Sequence, residues 1–171
     1  IDPHEGIPYY HPEPTYNDFM VKINTAKVVS QIQVKKGTSE ESSSEITEKI
    51  SLLFIDGDHT YEMVKKDFSL YEKKIIDRGY IALHDAVLEG PFKVILEAIK
   101  SNQWEFLQII GNLALIRKKL VEENNDMNIL TILNLILLHI NRQFHLNFVE
   151  NDEISMKVEV KELLINLERK L

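Results

Sequence analysis

The chain has 171 residues, 44% of them hydrophobic, which suits one cored domain with at most a small appendage and is too apolar for a disordered chain. A net charge of -7, a pI near 5.4 and lysine pairs scattered along the chain argue against a basic nucleic-acid footprint. The absence of cysteine excludes a disulfide framework and cysteine-ligated metals and fits a reducing, cytoplasmic setting. The most apolar stretch, residues 129–140, is too short to span a bilayer and is interrupted by Thr131, Asn134 and His139, so no membrane association is expected.

Ile1-Asp2-Pro3 reads as the end of a strand with Asp2 just beyond it, and the chain is expected to be a piece of a longer one. Residues 3–14 hold four of the five prolines and two of the six histidines, a long loop of the kind that serves as a lid or specificity loop. His4, Glu5 and His11 are candidate contacts there, or simply exposed polar residues. Thr15 followed by Asp18 predicts a helix start, with Phe19, Ile23 and Ala26 at helical spacing. Residues 28–34 predict a strand closing at Gly37-Thr38-Ser39. The Ser- and Glu-rich residues 40–49 predict a short surface helix with Ile46 and Ile50 inward.

Residues 51–55 form a short apolar run ended by Asp56-Gly57-Asp58-His59. Such a run predicts a strand buried on both faces, with its polar end on the rim where open α/β sheets bind ligands. Thr60 predicts a helix cap, and Val64, Phe68, Tyr71 and Ile75 one buried stripe. Asp77-Arg78-Gly79 predicts the turn out of that helix. Residues 80–83 repeat the strand pattern and end in His84-Asp85. Gly90-Pro91 predicts a helix start with proline at the first position, and Val94, Ile95, Ala98 and Ile99 its apolar face. Two strand-like runs flank Gly111-Asn112, an antiparallel hairpin signal. Together these predict an α/β, doubly wound sheet with an antiparallel C-terminal hairpin.

Residues 121–171 predict a mostly helical appendage, separate from a domain over residues 1–120. Within it, residues 127–142 read as a helix, 144–160 as hairpin-like alternation and 163–171 as helical. Its apolar character suggests packing or homo-oligomer contacts.

The run Ile55-Asp56-Gly57-Asp58-His59-Thr60-Tyr61-Glu62, with Gly79-Tyr80-Ile81-Ala82-Leu83-His84-Asp85 after it, resembles the class I S-adenosylmethionine-dependent methyltransferases. More narrowly, it is similar to the branch of macrolide-sugar O-methyltransferases and cephalosporin-pathway enzymes, which Asp2-Pro3-His4-Glu5-Gly6 and Gly37-Thr38-Ser39 also match. The resemblance covers about residues 1–118. It implies a Rossmann-like fold and S-adenosylmethionine as cofactor. Asp2 would bind the ribose, Gly37 and Ser39 would border the adenine, and Asp56 would lie on the cofactor rim. It also implies a divalent, magnesium-like metal at Asp56, His84 and Asp85, with His59 as general base.

Methyl transfer to a small-molecule or sugar hydroxyl is the implied reaction. A cation lowers the hydroxyl's pKa, and histidine can take its proton near neutrality. His84 stands where some relatives have an acid, and it reads equally as a hydrogen-bonded core histidine. Asp58 reads as a helix-capping acid, and His59 as a base or a loop histidine. The family's glycine-rich turn has no counterpart in the chain, and the first strand and helix that carry it are expected to be lacking. Two rivals stay open: a catalytically silent binding or oligomerisation module, and a metal-dependent hydrolase using Asp56, Asp58, His59, His84 and Asp85.

Overall fold

The structure, a computed structural model, describes residues 1–5, 12–120, 135–136 and 139–140. The four-stranded sheet is built from β1 (Ile50–Ile55), β2 (Ile75–Leu83), β3 (Trp104–Ile110) and β4 (Leu113–Lys118). Their order is β1-β2-β4-β3. β1 and β2 are parallel, and β4 runs antiparallel to both β2 and β3. The helix α3 (Tyr61–Tyr71) connects β1 to β2, and α4 (Glu89–Lys100) connects β2 to β3. This mixed sheet with crossover helices and a terminal hairpin is a Rossmann-like α/β fold.

Helical periodicity explains the packing. Val64, Phe68 and Tyr71 of α3 and Val94, Ile95, Ala98 and Ile99 of α4 are buried as their spacing requires. Both helices pack on each other, and they share a core with Ile75, Ile81, Leu83, Trp104 and Ile116. Val94 and Ile95 are fully buried, each worth roughly 1.5–3 kcal/mol of transfer free energy. The Trp104 indole meets the Phe68 ring edge-on, centroids 5.5 Å apart.

A polar clamp ties the two helices at their surface. Tyr61 Oη donates to Glu97 Oε1 at 2.7 Å, and Lys65 Nζ to Oε2 at 2.6 Å. These hydrogen bonds, Lys65's first, hold the Glu97 carboxyl below its usual range. A carboxylate whose pKa is lower folded than unfolded stabilises at high pH and loses that contribution as pH falls through the folded value. Glu97→Gln is therefore expected to cost a few tenths to about 1 kcal/mol in urea unfolding near pH 7, small because the groups are solvent-exposed. The gap between variant and wild type should close below about pH 4.

The structure revises several sequence expectations. The strand expected over residues 28–34 does not form. Val29–Gln31 is a 3-10 turn, and the one pairing nearby is an isolated parallel bridge between Asp2 and Lys36. A strand is stabilised by a ladder of partners, and one bridge supplies none. The serine-rich helix is shorter than expected: α2 spans Ser39–Ser43, opened by a capping box between Thr38 and Glu41. Ile50 belongs to β1 instead.

Asp77-Arg78-Gly79 does not precede β2 but bulges within it, where the β1–β2 register slips between Ile50 and Leu52. Arg78 takes a φ of +59° there. A Cβ at Gly79 would stand 2.7 Å from the Ile75 side chain, so the bulge requires glycine. Proline 91 is the third residue of α4, not the first.

β1 is not buried on both faces among the described residues. Leu52 and Phe54 are 58% and 54% exposed, because α3 and α4 cover the same side of the sheet. The first helix, α1 (Tyr16–Thr25), follows Thr15 as expected, but the threonine hydroxyl does not cap it. Within residues 121–171, expected from sequence to form an appendage, Leu135, Ile136, His139 and Ile140 are helical, and Leu135 joins the core. The alternating run over 144–160 and the helix over 163–171 lie outside the described residues.

Candidate active site

The strand register builds the site. Ile55 pairs with Leu83, and the Ile55 carbonyl accepts the His84 N–H at 3.0 Å. Asp56 and His84 therefore leave adjacent parallel strands side by side. His84 Nδ1 lies 2.9 Å from Asp56 Oδ1 and 3.4 Å from Asp85 Oδ2. His59 Nε2 lies 3.3 Å from Asp85 Oδ2 and 4.0 Å from Asp56 Oδ1. The four side chains expected to meet on one rim do meet there.

Three local devices hold them. Asp85 adopts a φ of +46°, a conformation uncommon outside glycine and one that collects at functional sites. Asn112, in the β3–β4 turn, donates from Nδ2 to Asp85 Oδ1 at 2.6 Å, and its carbonyl accepts the Ala86 N–H. The second Asp85 oxygen is thus left facing the imidazoles. Gly90 lets α4 lie directly on the loop carrying His59, since a Cβ there would stand 2.1 Å from the His59 carbonyl oxygen. Asp58 is not part of the cluster and accepts the Thr60 N–H at 2.7 Å. Hydrogen bonds from Thr60 hold its carboxyl below the usual range. It shapes the turn into α3, where Thr60 occupies the cap position without a side-chain cap bond.

The electrostatics of the cluster favour a cation. His59 Nε2 and His84 Nδ1 are shielded from solvent, and neither has a hydrogen-bond partner despite the nearby carboxylates. The close approaches lack hydrogen-bond alignment, so imidazole nitrogens and carboxylate oxygens border a shared space. Desolvated polar atoms without partners are costly unless a cation or donor satisfies them. Donors held about 2.0–2.2 Å from one ion stand about 2.9–4.2 Å from one another. The four separations above fall in that range. Ligating atoms of Asp56, His59 and His84 all lie within 4.8 Å of one another, and Asp85 borders this set through its contacts with the two imidazoles rather than belonging to it.

Beside the cluster is a cavity of about 440 Å³. It is lined by Asp2, Gly37, Ser39 and Asp56, with Leu53, Phe54, Asp67 and Tyr71 among the other walls. Its volume lies within the range usual for small-molecule sites. Asp56 belongs to both the cavity and the cluster. Asp2 is fixed by its parallel bridge, donating its N–H to the Lys35 carbonyl and accepting the Gly37 N–H. Its Oδ1 accepts the His4 N–H at 2.6 Å.

His4 is not an exposed loop residue. It is 8% exposed, lies against the Tyr16 and Phe19 rings, and bonds Thr15 Oγ1 through Nδ1. Thr15 already has helical φ/ψ rather than the extended conformation of a capping residue, which is why its hydroxyl does not cap α1. Glu5 is exposed, and His11 lies outside the described residues.

Asp67 was not singled out by sequence, and Tyr71 and Asn112 were read only as part of a buried stripe and of a hairpin turn, not as neighbours of the site. Burial raises the Asp67 carboxyl's pKa, partly offset by a hydrogen bond from Ser39. Tyr71 Oη donates to the Ser39 carbonyl at 2.7 Å. The signal for Asp67 was its position three residues after Val64 and four before Tyr71, which puts a carboxylate on the buried stripe. The sequence marked Asn112 as a turn residue but not as a support for Asp85, because that role depends on a contact 27 residues away.

The sheet order, the crossover helices and a polar rim at the carboxyl ends of two parallel strands define a Rossmann-like α/β protein with its candidate site at the carboxyl edge of the sheet. A methyltransferase-domain family model matches residues 1–86, about half the chain, and the protein belongs to that family. A 36-residue stretch is 53% identical to an uncharacterized protein of Acanthamoeba polyphaga mimivirus, covering 21% of this chain and 16% of the viral protein. Among solved structures, a Staphylococcus aureus protein assigned as a caffeoyl-CoA O-methyltransferase superposes with a TM-score of 0.49 and 18% identity. That match covers 60% of this chain and 59% of the staphylococcal one. A Clostridium thermocellum protein assigned as an rRNA methylase gives a TM-score of 0.44 and 13% identity over 61% of this chain and 69% of its own. No helix among the described residues is long and apolar enough to cross a membrane.

Proposed function

We propose that this protein is an S-adenosylmethionine-dependent O-methyltransferase acting on a hydroxyl of a small molecule, a sugar among them, with help from a divalent cation. The observation that carries this reading is the meeting of Asp56, His59, His84 and Asp85 on one rim beside the cavity of Asp2, Gly37 and Ser39. S-adenosylmethionine is the cofactor expected of a methyltransferase family, and the cavity lining suits it. Asp2 offers a carboxylate to ribose hydroxyls, since an ionised acid can accept two hydrogen bonds from a diol. Gly37, Ser39 and Asp67 border the remaining space.

When bound, S-adenosylmethionine supplies an electrophilic methyl group, and a divalent cation lowers the acceptor hydroxyl's pKa and fixes its direction. Asp56, His84 and Asp85 would hold that cation. His59 would take the hydroxyl proton on Nε2, which has no hydrogen-bond partner and so can accept one. Asn112 keeps Asp85 turned toward the imidazoles. Holding acceptor and methyl donor side by side supplies much of the rate gain, about 7–11 kcal/mol at best.

Calorimetric titration of the full-length gene product with S-adenosylhomocysteine tests the reading. A saturable one-site heat is expected. Its absence would replace the enzyme by a silent binding module of the same fold.

A further inference from the structure

We propose that His84 makes this centre selective for a nitrogen-accepting transition-metal dication of the zinc, cobalt, nickel or ferrous kind, and against magnesium. The inference rests on the cation-assisted reading above and specifies which ion serves it. His84 Nδ1 stands between two carboxylate oxygens, 2.9 Å from Asp56 and 3.4 Å from Asp85, shielded from solvent and without a hydrogen-bond partner. A hard magnesium ion binds through oxygen, demands near-ideal octahedral geometry and dehydrates reluctantly. It gains little from a nitrogen donor. An imidazole beside carboxylates suits the borderline dications, whose affinities rise along the first transition row.

The surroundings do not offer magnesium an easier arrangement. Asp58, the other acid on the loop, accepts the Thr60 N–H and is not among the residues that converge on the ion site. One Asp85 oxygen is held by Asn112, leaving the other for an ion. His84 is fixed at its backbone by the Ile55 carbonyl, and the Phe54 ring stands edge-on to its imidazole with centroids 6.4 Å apart.

The test is a titration of tag-free, full-length protein with divalent cobalt, followed by its visible d–d absorption, alongside calorimetry with zinc and with magnesium. Wild type is expected to bind cobalt and zinc at least roughly a hundredfold more tightly than magnesium. His84→Asp should lower that ratio by at least about tenfold, with circular dichroism confirming the fold. Asp58→Asn, outside the cluster, should leave the ratio unchanged. Equal or tighter magnesium binding by wild type, or an unchanged ratio in His84→Asp, overturns the preference while leaving a cation-assisted enzyme standing. Failure of wild type to bind any of these ions overturns the preference and the cation's part in the reaction together. Neither result touches cofactor binding, which the homocysteine titration reads separately.

Discussion

Asp2→Ala is expected to lower the affinity for S-adenosylhomocysteine by about a hundredfold, equivalent to roughly 2.7 kcal/mol, if the proposed cofactor site is the right one. Hydrogen bonds to a charged partner contribute about 1.5–3 kcal/mol each, and a diol makes two, less the desolvation of the carboxylate. The geometry makes Asp2 a fixed acceptor. Its main chain is anchored on both sides by Lys35 and Gly37, and its Oδ1 is steadied by the His4 N–H. One oxygen has a single neutral donor, so a carboxylate with about four lone-pair sites retains acceptor capacity for a ligand. Asp2→Asn keeps the size and should recover part of the loss at most. Calorimetry on the full-length protein measures both variants. An Asp2→Ala protein that binds as tightly as wild type would remove Asp2 from the cofactor site.

Gly90→Ala is expected to destabilise the fold by about 3 kcal/mol and to disturb the cluster with it. In an ordinary helix the same change stabilises by up to about 1 kcal/mol. The sign reverses here because the added Cβ meets backbone. It would stand 2.1 Å from the His59 carbonyl oxygen, 2.7 Å from the Tyr61 nitrogen and 2.8 Å from the Thr60 carbonyl carbon. Backbone cannot rotate aside as a side-chain tip can, so α4 or the His59 loop must move. Urea denaturation gives the stability loss, and cobalt titration reports the displaced loop. Gly111→Ala is the useful contrast. Nothing lies within 4 Å of its Cβ position, yet its φ is +61°. That variant should pay only local strain of about 1–2 kcal/mol and keep the cluster's ion affinity.

Much of the fold could be read from the chain. The 3.6-residue spacing of Val64, Phe68 and Tyr71 and of Val94, Ile95, Ala98 and Ile99 located two helices and their buried faces. The Gly111-Asn112 pair located the hairpin. Errors fell where local pattern competes with partners. Residues 28–34 have strand-like letters but no ladder. Asp77-Arg78-Gly79 has turn letters, yet the parallel pairing of Tyr80–Leu83 with Leu52–Ile55 carries β2 through it as a bulge. Thr15 has a cap's letter, but its own helical φ/ψ keeps its hydroxyl from capping α1.

What the sequence by itself determined is the list of chemical groups and their position along each element: two short apolar strands, each ending in acid and imidazole. Side-chain periodicity encodes that, because burial along a strand or helix repeats with the backbone's own geometry. Only the tertiary structure decided the rest. It set the separations among Asp56, His59, His84 and Asp85, the gathering of Asp2, Gly37 and Ser39 around one cavity, and the coverage of a single face of β1. It also supplied Asn112, Asp67 and His4 as supports. Those facts depend on strand register and on contacts between residues far apart in the chain, and no local pattern specifies which distant donor will arrive beside which acceptor.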